Sequence, residues 1–469
     1  MMLALVACLP GLVGCGETTD TRTEITLWSI TGSNNQAQLQ SYCDGFMEAY
    51  PQYKINNVIQ TGMGYNELKD ATEKGFSANN YPDLVQCYPD HVAEYIDYGK
   101  AVNLDPYIDN TEYGWSADDK ADYISNFVDE GKSYASEGTY SVPYCKSTEL
   151  MFYNADVLIG LVLPNINGGK ALDQAYFDNL TWEELFDNLC PAIVTYNDGL
   201  ADNAKILKTD QKYHSIFAYD SDDNLFITLC KQYGIPYTSV NTATGEGSID
   251  FDTDAAKEKL TPVLTSFYNA AKKGYIISKG SAGNNYTNTY FTKQNTLFSV
   301  GSTGGVKYQF DADNPMDVGV ARIPHAEGQN PYVINQGPSL CVLDHGSDDR
   351  KLGSWLFYKF MTNTTNALDW AINSGYMGIR ESCYTNADYI AANDETTKDL
   401  KTLDRLMARS NTYSQKILAE MYTSPAFKGS STARTQVSGV MTKVLTTSND
   451  ISKLSDWLKT AYDQTVLAM

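Results

Sequence analysis

The segment Ile25-Thr26-Leu27-Trp28-Ser29-Ile30 alternates apolar and polar residues as a β-strand does, and it begins the pattern that decides the fold. A helix is predicted next, with apolar residues at i, i+3, i+4 and i+7 from Leu39, and it ends at Pro51. The same alternation continues with strands at 54–59 and 83–88 and a helix at 66–78. Strands that alternate with helices predict an open, mostly parallel sheet with helices on both faces.

Later segments extend this α/β pattern. Glu149–Tyr153 is predicted as a strand, and Thr181-Trp182-Glu183-Glu184 has the spacing of a capping box at the start of a helix. Apolar residues at helical spacing predict two further helices, within 252–274 and 350–362.

The composition narrows the class of protein. The chain has 469 residues, of which 42% are hydrophobic, so it can bury a large core and favours two or three domains over one. Its net charge of -22 makes nucleic acid an improbable partner, because nucleic-acid binding needs a basic surface. An acidic surface also keeps an exported protein soluble and monomeric, so we expect a monomer.

The N-terminus resembles a bacterial lipoprotein signal. A short apolar run ends in Leu12-Val13-Gly14-Cys15, which has the small residue and the cysteine that a lipoprotein signal peptidase requires. The run is too short for a transmembrane helix, which takes about 20 apolar residues. We therefore expect residues 1–15 to be a signal peptide ending at a lipidated Cys15, outside the cell membrane, with residues 16–23 as a polar spacer. Because no Lys or Arg precedes the run, the signal is either atypical or begins upstream of Met1.

The cysteines show no paired framework. Without Cys8 and Cys15, seven cysteines remain, an odd number that cannot all pair. Cys87 and Cys341 lie in apolar runs that are typical of buried strands, where an unpaired cysteine acts as a small hydrophobic residue. We expect reduced core thiols and, because CxxC-type spacing is absent, no metal site.

Eight motifs in order resemble those of the extracellular solute-binding proteins of family 1, the maltose-binding-like receptors of ABC importers. The most specific piece is Tyr140-Ser141-Val142-Pro143-Tyr144 followed by Phe152-Tyr153-Asn154-Ala155-Asp156-Val157-Leu158. The others lie at 25–28, 46–51, 82–85, 181–185, 291–305, 318–324 and 370–376.

This resemblance implies a two-lobe, periplasmic-binding-protein-like α/β fold of type II, with crossing strands as the hinge and a ligand in the cleft. It implies a first lobe of residues 24–146 plus 298–342 and a second lobe of residues 147–297 plus 343–469. The implied function is the capture of a carbohydrate and its delivery to the ABC permease, with no cofactor. Ligand contacts made only in the closed state drive the closure of the lobes.

Aromatic and polar residues supply the candidate ligand contacts, and the chain has 34 Tyr and six Trp. Trp28 ends the first strand, where open sheets deliver side chains to a crevice; the alternative is a core tryptophan. Tyr65 follows a glycine-rich turn and resembles a ligand-touching position of the family; the alternative is an exposed tyrosine at a helix start.

The full set of predicted ligand-binding residues follows from the crossings and motifs of the family. For Tyr144 the alternative is packing in the hinge, and for Arg380 it is a solvated surface position. The set is Trp28, Tyr65, Tyr88, Tyr144, Lys146, Ser147, Thr148, Gly301, Ser302, Gly337, Trp370, Tyr376, Arg380 and Arg434.

Two alternatives to a carbohydrate receptor stay open. A subgroup of the same family binds glycerol 3-phosphate or its diesters, and Arg434 could clamp a phosphate, although Pro89 stands where that subgroup has an acidic residue. A lipid-anchored extracellular glycosidase is the alternative from another class, because 57 carboxylates could include an acid and base pair. No HExxH, GxSxG or P-loop motif is present, and the four histidines have no ligand spacing, so we expect no catalytic residues.

Overall fold

A computed structural model describes residues 20–208, 211–241 and 243–469 of the chain. The predicted signal peptide and Cys15 lie outside the described residues. The strands are β1 Thr23–Ser29, β2 Tyr53–Ile59, β3 Leu84–Cys87, β4 Val142–Pro143, β5 Ser147–Asn154, β6 Phe217–Tyr219, β7 Thr238–Asn241, β8 Glu246–Ile249, β9 Ile276–Ser278, β10 Phe298–Ser302, β11 Val318–Ala321, β12 Val333–Gln336, β13 Ser339–Val342 and β14 Met421–Tyr422.

The helices alternate with these strands and cover the sheets. A π-helix at Glu184–Leu189 runs directly into α9. The α-helices are α1 Ser33–Ala49, α2 Tyr65–Ala78, α3 Pro89–Asp97, α4 Asp105–Ile108, α5 Ala117–Asp122, α6 Ser125–Glu130, α7 Ala155–Leu158, α8 Gln174–Asp178, α9 Cys190–Asp198, α10 Asp222–Gln232, α11 Asp254–Lys272, α12 Asn288–Phe291, α13 Asp348–Met361, α14 Thr364–Asn373, α15 Glu381–Thr385, α16 Ala387–Ala392, α17 Leu403–Lys416, α18 Ser430–Leu445 and α19 Leu454–Val466.

The first sheet has the strand order β2-β1-β3-β13-β4. β1 pairs in parallel with both β2 and β3, as the strand-helix alternation predicts. On β1, Ile25 and Leu27 are fully buried because alternate side chains of a strand point to the same face. This sheet and the helices that pack on it form the first lobe.

The second sheet has seven strands in the order β14-β12-β5-β10-β6-β9, and β11 also pairs with β5. β6, β9 and β10 run parallel to their neighbours in this group, whereas β5 is antiparallel to β10, β11 and β12. This sheet, its helices and the small β7–β8 hairpin form the second lobe. The mixed α/β architecture agrees with the predicted fold class.

Two neighbouring segments that pass between the lobes, at 144–147 and 336–339, lie side by side, and we call them the crossing segments. The Cys145 amide donates to the Pro338 carbonyl at 3.0 Å, so the segments are hydrogen-bonded to each other. Gly337 has φ +84, and a Cβ there would lie 1.9 Å from the Cys145 carbonyl oxygen. Only glycine fits this position, because both the backbone conformation and the space exclude a side chain.

The expected division of the chain between lobes is wrong after residue 298. Residues 298–342 were expected in the first lobe, but β10, β11 and β12 lie in the second sheet and the chain returns only at β13. Residues 343–469 were expected in the second lobe, but α13 and α14 pack on the first. The Phe46 ring on α1 lies 5.2 Å from that of Phe357, and the Tyr42 hydroxyl donates to Asp369 at 2.6 Å.

The reason for this error is physical. Each of these strands is a short apolar run that fits either sheet, and the pairing partner is decided by long-range contacts rather than by local pattern.

The chain crosses from the first lobe to the second for the last time between α16 and α17. Beyond it, Arg409 on α17 pairs with Asp317 at 2.6 Å, next to β11.

The seven cysteines at 43, 87, 145, 190, 230, 341 and 383 are all unpaired and buried, as predicted. Within the described ranges, no helix is both long and apolar enough to span a bilayer.

Candidate functional site

A cavity of about 980 Å³ lies between the lobes, beside the crossing segments. Its size is in the range of sites that enclose a small-molecule ligand. Tyr65 and Tyr88 line it from the first lobe, Asp220 and Arg434 line it from the second, and Gly337 lines it at the crossing. A molecule bound here would contact both lobes at once.

Aromatic rings form one wall of the cavity. Tyr65 and Tyr88 are in edge-to-face contact, with ring centroids 4.6 Å apart. Tyr376 is stacked on Trp370, with an angle of 10° between the ring planes and 6.2 Å between centroids, and Tyr144 stacks behind Trp370 at 5.3 Å. Only Tyr376 of this three-ring stack lines the cavity, so the other two rings support its orientation.

Charged side chains of the second lobe also line the cavity. Arg434 on α18 donates from Nη2 to Asp223 at 2.9 Å, at the start of α10. Burial raises the pKa of the Asp223 carboxyl, but the Arg434 charge and the hydrogen bonds from Ser221, the Asn224 amide and Arg434 together outweigh burial, and the net shift is downward. The guanidinium and this carboxylate therefore stay ionised as a pair.

Glu149 is the most deeply buried carboxylate that lines the cavity, with an exposed fraction of 1%. Its Oε1 accepts hydrogen bonds from Asn224 at 2.9 Å and Gln336 at 3.3 Å, and its Oε2 accepts one from Tyr219. Burial raises the pKa of Glu149 to about 7, although the donors from Tyr219 and Asn224 lower it in part. Three donors hold the side chain in a fixed position.

Half of the predicted ligand-binding residues do line the cavity. They come from distant parts of the chain, between residues 65 and 434, that the fold brings together. They are Tyr65, Tyr88, Ser147, Ser302, Gly337, Tyr376 and Arg434.

The other seven predicted residues are not in the cavity wall. Thr148 points away because neighbours on β5 face opposite sides, and its hydroxyl donates to the Ile334 carbonyl at 2.9 Å. Trp28 packs in a small core cluster beside β3. Gly301 lies behind Gln309, whose Nε2 would be 2.7 Å from a Cβ there. Tyr144 and Trp370 form the support behind Tyr376.

Two predicted cations are used inside the protein. Lys146 is fully buried and pairs with Glu130 at 2.7 Å. Arg380 is also buried, where it pairs with Asp119 at 2.9 Å and Asp122 at 3.1 Å. Neither the predicted ligand contact nor the surface position that was the alternative for Arg380 fits this geometry, because the ion pairs tie Arg380 to α5.

Sequence reasoning missed several polar residues of the cavity wall. Asp220 and Asp223 directly follow β6, at the carboxyl end of a parallel strand, which is where open α/β sheets place ligand contacts. Glu149 is two residues beyond Ser147 on β5 and so shares its face. Those two signals were available in the sequence, whereas Gln309 ends a short 3-10 helix, Thr303–Gln309, whose sequence gives no such signal.

A two-lobe α/β fold with a polar and aromatic cavity at the crossing segments is the architecture of a binding protein. The chain belongs to the bacterial extracellular solute-binding protein family, whose model matches residues 41–398. The family and the fold are those of substrate-binding receptors, and the family places the protein outside the cytoplasm. The predicted family is thereby confirmed. No curated protein matches the chain.

Solved structures with the same fold cover nearly the whole chain. The GacH receptor of Streptomyces glaucescens GLA.O has a TM-score of 0.68 at 15% identity, over 95% of this chain and 99% of that chain. UgpB from Mycobacterium tuberculosis has a TM-score of 0.68 at 17% identity, over 94% and 98%. MalE from Bdellovibrio bacteriovorus has a TM-score of 0.65 at 14% identity, over 95% and 100%. At these identities the likeness shows the fold.

Proposed function

We propose that this protein is the monomeric substrate-binding receptor of an ABC importer, that it captures a carbohydrate in the cavity between its lobes, and that a lipid on Cys15 anchors it outside the cell membrane. The residues that line the cavity are the main support for a carbohydrate ligand. Sugars present apolar ring faces and many hydroxyl groups, and the cavity wall offers tyrosine rings together with carboxylates and amides.

The position of the cavity supports capture by closure. Tyr65 and Tyr88 belong to the first lobe, and Glu149 and Asp220 to the second, so a ligand bridges the lobes. Contacts that form only when the lobes come together shift the equilibrium toward the closed state. A permease that recognises the closed state then distinguishes loaded receptor from empty receptor.

The structural neighbours support a saccharide ligand. The solved structure of MalE from Bdellovibrio bacteriovorus contains maltotriose, and that of the GacH receptor contains acarbose. UgpB from Mycobacterium tuberculosis was solved with glycerophosphocholine, so the phosphodiester ligand remains the second candidate.

The second candidate rests on Arg434, whose guanidinium lies in the cavity wall. Arg434 is paired with Asp223, and five carboxylates line the cavity against three Lys and Arg side chains. An anionic ligand would enter a surface of net negative charge, which disfavours it by Coulomb repulsion. We therefore rank carbohydrate above phosphodiester.

The geometry of Glu149 argues against the glycosidase alternative. A carboxyl with a pKa of about 7 beside ionised carboxylates is what a general acid requires. Glu149, however, is 1% exposed and both of its oxygens accept hydrogen bonds from the protein, so it cannot reach a glycosidic oxygen without breaking them.

A thermal-shift panel tests the proposed function. The protein from residue 16 onward is mixed with neutral di- and trisaccharides, including maltotriose, and separately with glycerophosphocholine. We expect a saccharide to raise the melting temperature and to be recovered unchanged; a ligand at 100 times its Kd stabilises by about 2.7 kcal/mol. A shift with glycerophosphocholine alone contradicts the carbohydrate assignment, and hydrolysis products contradict a receptor.

A further inference from the structure

Asp220 presents a carboxylate oxygen to the cavity with no partner in the described part of the chain. Its Oδ1 accepts hydrogen bonds from the Thr287 amide at 2.8 Å and the Thr287 hydroxyl at 3.3 Å. Its Oδ2 accepts none from the described residues, while the side chain lines the cavity. One oxygen therefore fixes the carboxylate, and the other is available to a ligand.

Among the described residues, no cation forms an ion pair with Asp220. The charge of Lys279 lowers the pKa of this carboxyl, but its Nζ lies over the Tyr286 ring, 3.7 Å from the centroid. Glu149 and Asp222 add negative charge nearby. Burial is the largest influence on the pKa of Asp220, and the net shift is upward.

Asp222 differs from Asp220 in being satisfied by the protein. It accepts hydrogen bonds from the Ser278 hydroxyl at 2.5 Å, the Gly280 amide at 2.9 Å and the Thr442 hydroxyl at 3.1 Å. It is also absent from the cavity wall. Asp222 therefore has no need of a ligand donor, whereas Asp220 has one oxygen left for it.

Gln309 provides a second, independent sign of a ligand at the same place. It lines the cavity with an exposed fraction of 3%, and its Oε1 has no hydrogen-bond partner in the described residues. A Cβ on Gly301 would lie 2.7 Å from Gln309 Nε2 and 4.0 Å from Asp220 Oδ2, so the two side chains meet over this glycine. An acceptor buried without a donor is unfavourable, and a ligand that donates to it removes that penalty.

We propose that Asp220 and Gln309 form a subsite for a protonated amino group, so that the receptor prefers amino-bearing saccharides to neutral ones. This inference rests on the proposed function and narrows its ligand class. An ammonium donates up to three hydrogen bonds and brings the counter-ion that Asp220 lacks. A sugar hydroxyl can satisfy one acceptor, but it leaves the negative charge uncompensated.

Calorimetric titration with three matched disaccharides tests the subsite. Cellobiose, N,N′-diacetylchitobiose and the de-N-acetylated glucosamine disaccharide share one linkage and differ at C2, which carries a hydroxyl, an acetamide or an ammonium group. In neutral buffer of low ionic strength we expect the glucosamine disaccharide to bind roughly tenfold more tightly than cellobiose, because charged hydrogen bonds exceed neutral ones. Added salt should reduce that preference and leave cellobiose affinity unchanged.

The isosteric variant Asp220→Asn should remove the preference, so that the glucosamine disaccharide binds to this variant no more tightly than cellobiose does. Asp222→Asn is the matched control, since it removes a nearby charge without touching the cavity, and it should retain most of the preference. If Asp220→Asn fails to fold, two other measurements test the subsite. Gln309→Leu should reduce the preference for the glucosamine disaccharide, and added salt should reduce that preference in the wild type.

Equal or weaker binding of the glucosamine disaccharide by the wild type overturns the subsite. If maltotriose or another neutral saccharide binds while the amino group brings no gain, the subsite is wrong and the proposed function stands. If no saccharide binds at all, both are wrong.

Discussion

Glu130 and Lys146 form an ion pair, with Oε1 and Nζ 2.7 Å apart, at the point where the two crossing segments meet. Both side chains are at most 1% exposed. Lys146 also donates to the Gly337 carbonyl at 3.0 Å, and Glu130 accepts from Asn335 at 2.7 Å and from Ser339 at 3.1 Å. The pair thus ties helix α6 of the first lobe to both crossing segments.

Lys146→Met should destabilise the protein by about 3–5 kcal/mol, because it leaves the Glu130 carboxylate buried without its counter-ion. Urea unfolding measures this difference. Lys120→Met is the control, since Lys120 pairs with Asp109 on an exposed surface, where loss of an ion pair costs about 1 kcal/mol or less. Equal effects of the two variants would show that the buried pair has no special role.

Gly337→Ala should disrupt the crossing segments. Any residue with a Cβ costs about 1–2 kcal/mol at positive φ, and overlap with the Cys145 carbonyl adds about 1–3 kcal/mol. Gly346→Ala separates the two effects, because Gly346 also has positive φ, at +76, but has no atom within 4 Å of the added Cβ. Melting temperatures of both variants check the prediction, which fails if Gly337→Ala is no worse than Gly346→Ala.

Tyr376→Ala should weaken saccharide binding at least roughly tenfold, because the ring supplies a stacking face in the cavity. The variant should fold normally, since Trp370 and Tyr144 remain packed behind it. Trp28→Ala gives the opposite pattern: Trp28 packs in a core cluster, so stability falls while affinity is kept. Titration calorimetry and thermal melting together distinguish the two, and loss of affinity in Trp28→Ala would contradict the placement of that residue.

The stability of the protein should fall as pH rises through the range set by Glu149. The folded-state pKa of about 7 lies above the ordinary glutamate value of 4.5, so between these values the folded state binds more protons than the unfolded state. This contribution to stability is fully present below 4.5 and is lost as pH rises through about 7. The free energy of unfolding, followed with pH, should decline less steeply in Glu149→Gln than in the wild type; identical slopes would contradict the raised pKa.

Cys15→Ser should release the protein from the membrane, because the proposed lipid is attached through the Cys15 thiol. Cell fractionation with an antibody to the soluble body locates both forms. We expect the wild type in the membrane fraction and the variant in the soluble extracytoplasmic or culture fraction. A wild type found in the soluble fraction would exclude the anchor.

The hydrophobic pattern predicted the elements of the first lobe well, because β1, α1, β2, α2 and β3 follow one another and each has a clear spacing of apolar residues. The pattern did not predict that β10, β11 and β12 belong to the second sheet, because short apolar strands fit either sheet and distant residues decide the pairing. The site followed the same rule. Tyr65, which resembles a ligand-touching position of the family, does line the cavity, whereas the burial of Arg380 depends on Asp119 and Asp122, more than 250 residues away in the chain.

A crystal structure of the protein with the saccharide that gives the largest thermal shift locates the ligand. We expect the saccharide in the cavity between the lobes, with a ring stacked on Tyr376 and a hydrogen bond to Asp220 of the second lobe. A saccharide bound elsewhere, or one that contacts a single lobe, would show that capture between the lobes is wrong.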